Sequence, residues 1–439
     1  MDFEALYKKG DFYFDKESYA EAVKYYDQAI AVRPQYALAF YRKGEALYKL
    51  GKFEESTSSF WSSCLFWNFK KEPLLMTGRT LEAAGLSYSA CKVFAMLPIE
   101  SIDITSLQFY ISSLIREMRI ADAAILLPRL QDETDFNTVL LRGRIHHEFG
   151  LLQQAQELYE SIFNQDVEGK VADRLIGIYT GLGLFDRLSS LLKDTATLYQ
   201  SNKHHADYYR AQLIALGIFF GRLSTDVSQY KDNERFSIID SAAYLRSKTE
   251  GKVFLSGATQ QTFAIIKSNV PKDGVVAEFG VRNGHSINLI ARLYPNHEIV
   301  GFDSFEGIPD DWGDEPAGSY TVGGVLPKVL DNVKLVHGWF DKTLPVFEKT
   351  LTKPLALLNI DCDIYSSTKT IFDILGPHIN MGTVIVFDEY INNKTWRDDE
   401  FKAFQEWVSD NNVEYEYLVV SFYTKQVAVK ILSKAVVSG

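Results

Sequence analysis

Cysteine is scarce: Cys64, Cys91 and Cys362 are all that 439 residues contain. Neither their number nor their spacing makes a disulfide framework or a zinc knuckle, so a reducing compartment is expected, and the fold must rest on buried apolar surface. Positive charge is in deficit, with 46 Lys and Arg against 57 Asp and Glu and a formal net charge of -11. A surface built to neutralise phosphates is thereby disfavoured, and no nucleic acid partner is expected. Long apolar runs are missing as well. The stretch around Ala211 to Phe220 is broken by polar residues and glycine, short of the roughly 20 apolar residues that a membrane span needs. No transmembrane segment is expected. The opening MDFEALYKKGDFYFDKESY lacks a basic segment followed by an apolar core, which argues against secretion and for a cytoplasmic location.

What is abundant points to folded, multidomain structure. Apolar residues make up 46% and aromatics 13% of a chain longer than one hydrophobic core usually grows. The N-terminal half repeats itself. Leu6, Gly10, Tyr13, Ala22, Tyr26, Ala29 and Pro34 alternate small and large residues at spacings suited to two antiparallel helices, with Gly10 and Ala22 allowing close approach and Tyr26 filling the groove. Phe40, Gly44, Leu47, Ser56, Phe60 and Ser63 repeat the pattern 34 residues later, and Gly78, Ala90 and Phe94 keep it once more. This resembles the tetratricopeptide repeat, most clearly over residues 3 to 97. Gly143, Ala155 and Tyr159 retain the internal spacing, while residues 100 to 135 and 171 to 240 show helical periodicity only. Such an array presents a concave face to a protein partner, covers a neighbouring domain, or mediates self-association. Tyr48, Trp61, Phe66 and Trp67 are anchor candidates, each more simply read as filler of a helix seam.

From residue 255 the pattern changes to alternating strand and helix. Seven strands are expected, at Val275–Phe279, Glu298–Phe302, Val333–Val336, Leu355–Ile360, Thr383–Phe387, Tyr415–Ser421 and Val427–Ile431. The intervening helical segments make this an α/β Rossmann-like domain with a mostly parallel sheet. The last two strands lie too close together for a helical crossover and should pair antiparallel. The expected organisation is therefore a helical repeat domain over 1–240, a junction over 241–254 and the α/β domain over 255–435.

Four carboxylates stand at the ends of two successive apolar runs: Asp361 and Asp363 after LALLNI, then Asp388 and Glu389 after TVIVF. Buried strands ending side by side would gather these acids, and like charges there need a cation or a shared proton. Upstream, VVAEFGVRNGHS ends a strand in Glu278, Gly280 and Gly284. Gly280 allows a sharp turn, Gly284 close approach to a ligand, and Glu278 can accept from a cationic or hydroxylated group. The spacing departs from the pyrophosphate fingerprint GxGxxG, which weakens a nicotinamide reading. Asp303 ends the next strand, where an acid can receive two ribose hydroxyls.

DSFEGIP at Asp303 to Pro309, HGWFDKTLP at His337 to Pro345, DCDIYSST at Asp361 to Thr368 and FDEY at Phe387 to Tyr390 resemble the macrocin O-methyltransferase family over roughly residues 255 to 435. The resemblance implies a class I S-adenosylmethionine-dependent enzyme that methylates sugar hydroxyls with Mg²⁺ in the site. It further implies that Glu278, Gly280, Gly284 and Ser286 line the methionine and ribose part of the cofactor pocket, and that Asp303 holds the ribose. Ser304 and Phe305 would flank the adenosine, with Gly338 and Trp339 near the adenine. Asp361, Asp388 and Glu389 would ligate the metal, although familiar members carry Asp-Asp where this chain has Asp388-Glu389. A diol chelated to Mg²⁺ would gain acidity and a fixed orientation towards the methyl donor. Asp361 or Asp363 would take the proton, and the family comparison favours Asp361, with Asp363 steadying Tyr365 or its loop. His285 and His337 read more simply as packing or cofactor-loop residues.

DDWGDEPAGSYTVGG, Asp310 to Gly324, follows the cofactor acid and suits a lid over the acceptor. The acceptor expected is a small sugar or glycoside; a catechol would satisfy the same carboxylate and metal logic. Two other readings stay open: a protein methyltransferase fed by the repeats, and a repeat scaffold without chemistry.

Overall fold

Residues 2–132, 134–198 and 203–434 are described by a computed structural model. Its contacts separate into two units, Met1–Ile145 and His146–Gly439.

In the first unit, antiparallel helices alternate along the chain: Phe3–Asp15 with Tyr19–Val32, Ala37–Lys49 with Phe53–Phe66, and Lys71–Ala83 with Ser87–Phe94. Side-chain caps start helices of this unit, Asp2 Oδ1 accepting from Ala5 N at 2.8 Å, Asp103 Oδ1 from Ser106 N at 3.0 Å and Asp135 Oδ2 from Thr138 N at 2.8 Å. The 34-residue repeat is a packing device. A Cβ on Gly10 would sit 2.5 Å from the Tyr26 ring, one on Gly44 2.8 Å from Phe60, and one on Gly78 2.7 Å from Phe94. All three rings are fully buried, beside buried Ala22, Ser56 and Ala90. Gly44→Ala should therefore cost about 1–3 kcal/mol through overpacking, read by chemical denaturation; an unchanged midpoint would show that the Phe60 ring moves aside freely. The anchor candidates all have aromatic neighbours. Trp61 lies 5.8 Å from Phe69, Phe66 5.5 Å from Phe40, Tyr48 5.6 Å from Phe53 and Trp67 6.1 Å from Tyr41.

The second unit begins with further helices, among them Leu152–Ile162, Lys170–Gly181, Phe185–Leu198, Lys203–Phe219 and Phe236–Thr249. Helical periodicity alone thus did mark helices here. They share a compact unit with the sheet.

The sheet has eight strands, not the seven expected: β1 (Phe254–Leu255), β2 (Val275–Phe279), β3 (Glu298–Asp303), β4 (Val333–His337), β5 (Leu355–Ile360), β6 (Val384–Phe387), β7 (Glu414–Val420) and β8 (Val427–Ser433). The extra strand is β1, two residues pairing parallel to β7 through Phe254↔Val419 and Leu255↔Val420. Two residues carry no periodicity, so only the tertiary partner defines it. The order is β1-β7-β8-β6-β5-β2-β3-β4, with β8 antiparallel to both β6 and β7 and every other pairing parallel. Every residue of β2, β5 and β6 is buried, as a sheet covered on both faces requires. From β2 the chain runs outward through β3 and β4, then returns to β5 on the other side of β2. The carboxyl ends of β2 and β5 flank this reversal, where open α/β sheets bind ligands. Among the described residues no helix is long and apolar enough to cross a membrane.

Candidate active site at the strand ends

Backbone hydrogen bonds bring the strand ends together. Asp361 N donates to Phe279 O, Asp388 N to Ile360 O, and Gly280 N to Phe302 O, at 2.9, 2.9 and 3.0 Å. The turn after β2 needs its glycine: Gly280 has φ of +97°, and a Cβ there would lie 1.7 Å from the Asp361 carbonyl oxygen. Glu278, Asp361 and Asp388 consequently sit at the ends of three adjacent strands.

Asp303 ties the cofactor-side loops together. Its Oδ2 accepts from Val281 N at 2.8 Å and Arg282 N at 2.7 Å, and its Oδ1 from Phe305 N at 2.6 Å. Gly338 N donates to Asp303 O at 2.9 Å, which adds the turn after β4. Ser304 Oγ accepts from Glu306 N and donates to Gly307 O. Phe305 is buried, with its ring 5.5 Å from that of exposed His337. Trp339 is exposed at the start of helix Phe340–Glu348, and Gly284 (φ +78°) starts helix His285–Leu293, which carries Ser286. His285 is held below its ordinary pKa by burial, consistent with packing. All the expected cofactor residues thus gather at the ends of β2, β3 and β4.

Glu278 is fully buried. Asn359 Nδ2 donates to its Oε1 at 2.8 Å, while Oε2 has no partner within hydrogen-bond geometry. Burial pushes its carboxyl up to about 8, against the opposing influence of Ser286 and Asn359. A buried, under-satisfied carboxyl oxygen beside a glycine turn fits a cationic amine donor such as the methionine end of S-adenosylmethionine. The raised value has a consequence for the apo chain. Between about 4.5 and about 8 the folded state holds a proton that the unfolded state has lost, so stability falls as pH rises through that window. Glu278→Gln should remove on the order of 2–4 kcal/mol of that decline. Denaturation at pH 5 and 8.5 measures it; an unchanged slope would assign the decline to the other acids.

The acid cluster is larger than the four carboxylates of the sequence. Glu400, at the start of helix Glu400–Asp410, is buried and accepts from Glu389 N at 3.1 Å through Oε2, while Oε1 has no partner. In RDDEFKAF it reads as an ordinary acid on a helix's first turn, which is why sequence reasoning passed over it. Burial, then the neighbouring acids, raises Asp361 and Glu400 well above the usual carboxylate range and Asp363 to about 7. Burial likewise lifts Asp388, and Glu389 to about 7, each opposed by Lys425. Asp363, with φ of +64°, does not steady Tyr365, whose hydroxyl donates to Glu406 at 2.7 Å.

Two more residues missing from the sequence reading come from the turn between β7 and β8. Lys425 Nζ donates to Glu389 Oε1 at 3.0 Å and Oε2 at 2.9 Å, and Gln426 Nε2 donates to Asp388 Oδ1 at 2.6 Å. The expected Mg²⁺ ligands therefore do not fit a metal site as placed. Among the described residues no three His, Cys, Asp or Glu side chains are arranged to hold a metal ion.

The segment from Asp310 to Gly324 is tied down. Trp312 Nε1 donates to Asp399 at 3.0 Å, Ser366 Oγ to Asp310 at 2.8 Å, and Gly324 N to Phe305 O at 3.0 Å. Separately, a cleft of about 480 Å³ opens beside Lys248, Lys252 and Glu414. It lies at the start of β7, away from the strand-end acids, and nothing in its lining matches the chemistry gathered there.

Helical repeats followed by a sheet with acid-tipped parallel strands at its reversal define a repeat-fused open α/β architecture. Residues 277–390 match the family model of a methyltransferase domain, and residues 10–51 that of a TPR repeat. The chain thus carries a tetratricopeptide-like helical region followed by an α/β methyltransferase domain. It is 30% identical over 168 residues to demethyldecarbamoylnovobiocin O-methyltransferase of Streptomyces niveus, covering 32% of this chain and 61% of that one. It is also 30% identical over 150 residues to 8-demethyl-8-(2,3-dimethoxy-alpha-L-rhamnosyl)-tetracenomycin-C 4'-O-methyltransferase of Streptomyces olivaceus, covering 29% and 56%. The chain therefore spans less than two thirds of either relative. Among solved structures, a calicheamicin methyltransferase aligns at 20% identity and TM-score 0.33, over 50% of this chain and 90% of that one.

Proposed function

We propose that this chain is an O-methyltransferase that moves a methyl group from S-adenosylmethionine to a hydroxyl of a sugar or glycosylated metabolite in the cytoplasm. The observation that carries the reading is the convergence of Glu278, Asp303, Asp361 and Asp388 at neighbouring strand ends, beside the Gly280 turn. The two curated relatives are named as O-methyltransferases, one of them for a rhamnosyl-bearing compound, which favours a glycoside over a catechol acceptor. In this reading the repeat domain runs over 1–240, the junction over 241–254 and the methyltransferase domain over 255–435, with the repeats serving a protein partner or self-association.

S-adenosylmethionine, when bound, supplies a methyl carbon activated by a sulfonium. Glu278, Gly280, Gly284 and Ser286 would hold its methionine end, Asp303 its ribose, and Ser304, Phe305, Gly338 and Trp339 the adenosine side. Asp361 would act as general base. Burial among the neighbouring acids raises its carboxyl, and once ionised a more basic carboxylate takes the hydroxyl proton more readily. The acceptor oxygen forms its bond to the methyl carbon as the carbon–sulfur bond breaks towards sulfur, and the hydroxyl proton passes to Asp361. Positioning in line supplies much of the acceleration. The Mg²⁺ of the resemblance has no part in these steps, since the side chains do not form its site.

Calorimetric titration of S-adenosylmethionine into the full chain tests the reading. One site is expected, with Glu278→Gln weakening it about tenfold or more, because an amide cannot ionise against the ligand's ammonium as a carboxyl can. No detectable binding to the wild type would turn the reading towards a repeat scaffold.

A further inference from the structure

We propose that Lys425 is the built-in cation of the acid cluster, filling the role that the family resemblance gave to Mg²⁺, so that the proposed methyl transfer runs without one. The inference rests on the methyltransferase reading only for what the cation serves. The seat itself is geometric.

Asp388 and Glu389 end β6 as neighbours, and both need compensation once removed from water. Lys425 Nζ meets both oxygens of Glu389 at 3.0 and 2.9 Å, with the Glu389 side chain 14% exposed. Gln426 meets Asp388 at 2.6 Å. Consecutive residues of one turn thus serve consecutive acids of one strand end. A hard divalent ion needs carboxylate oxygens at about 2.1 Å, and it would reach Glu389 only by expelling the ammonium. An ammonium carries three donors. Two meet Glu389, which leaves one for an acceptor oxygen.

The turn is fixed rather than a loose surface loop. Lys425 has φ of +62°, an unfavourable backbone for a lysine that surrounding contacts must hold. Ser421 N donates to Gln426 O at 2.8 Å, and Thr424 Oγ1 pairs with Gln426 Oε1 at 3.0 Å. Just before Lys425, Tyr423 is gripped by helices of the same unit: Arg174 Nη1 reaches its hydroxyl at 3.1 Å and the His147 ring stacks on it at 5.5 Å. Asn392 Nδ2 donates to Phe422 O at 2.7 Å. The ammonium is therefore presented from a braced backbone, which lowers the entropy lost in holding it.

Manganese, detected by electron paramagnetic resonance on metal-stripped full-length protein, probes the seat directly, and S-adenosylmethionine titration of the same samples reads the methyltransferase assignment separately. Wild type should bind Mn²⁺ with Kd above about 1 mM. Lys425→Met, which keeps the apolar stem and frees the acids, should tighten it at least about tenfold, and Lys425→Arg should not. Wild-type binding below about 100 µM overturns the proposal even if the variants fail to fold. So does a folded Lys425→Met protein with no gain in Mn²⁺ affinity. If S-adenosylmethionine does not bind, the functional reading fails while the manganese result still decides the cation seat.

Discussion

Asp361→Asn is expected to lower methyl transfer by about 10³-fold or more while leaving S-adenosylmethionine affinity within about threefold of wild type. The asymmetry follows from where Asp361 stands. Its backbone N–H is fixed to Phe279 O, so an isosteric amide keeps the strand-end geometry. None of the cofactor-side hydrogen bonds made by Asp303 involves it. What the amide removes is a proton acceptor. Asp361 is buried among Asp388, Asp363, Glu278 and Glu400, a setting that raises its carboxyl. Asp363→Asn should have a clearly smaller effect on kcat, since Asp363 lies beyond the strand tip. Equal losses in the two variants would move the base assignment to the pair. A normal kcat for Asp361→Asn would remove Asp361 from the chemistry.

Gly280→Ala is expected to destabilise the second unit by about 3 kcal/mol or more, with loss of cofactor binding. Two penalties coincide. The residue holds φ of +97°, which side-chain-bearing residues rarely adopt, and the added methyl would meet a backbone carbonyl, that of Asp361, at 1.7 Å. A flexible side chain could yield, but here both sides of the clash are strand ends hydrogen-bonded into the sheet. The turn after β2 and the base-bearing end of β5 would have to part. Urea denaturation gives the stability loss and calorimetry the binding loss; a variant of wild-type stability would mean that the strand ends are more compliant than their hydrogen bonds imply.

Legibility followed the range of each signal. Gly10, Gly44 and Gly78 against Tyr26, Phe60 and Phe94 could be read because both members of each pair recur at a fixed interval. The buried strands β2, β5 and β6 could be read from uninterrupted apolar runs, and their acids from standing at the run ends. Two-residue β1 offered no pattern. Glu400 looked like a dipole-complementing surface acid, and its burial under Glu389 depends on how the following helix folds back. Lys425 and Gln426 looked like hairpin filler. Their role arises because β8 inserts between β6 and β7, which carries the β7–β8 turn over the end of β6. No local sequence feature records that insertion. The partner of the acid cluster was hidden for the same reason: counting acids shows the negative charge, and only the fold sets Lys425 against Glu389.

The most direct test of methyl transfer to a sugar hydroxyl uses S-adenosylmethionine carrying a ¹³C methyl group, incubated with the full chain and a cell-extract metabolite pool depleted of divalent metal. Nuclear magnetic resonance of the separated fractions should show the label as an O-methyl ether on a soluble glycoside, formed in step with S-adenosylhomocysteine. Label confined to polypeptide side chains, or no transfer despite bound S-adenosylmethionine, would contradict the account.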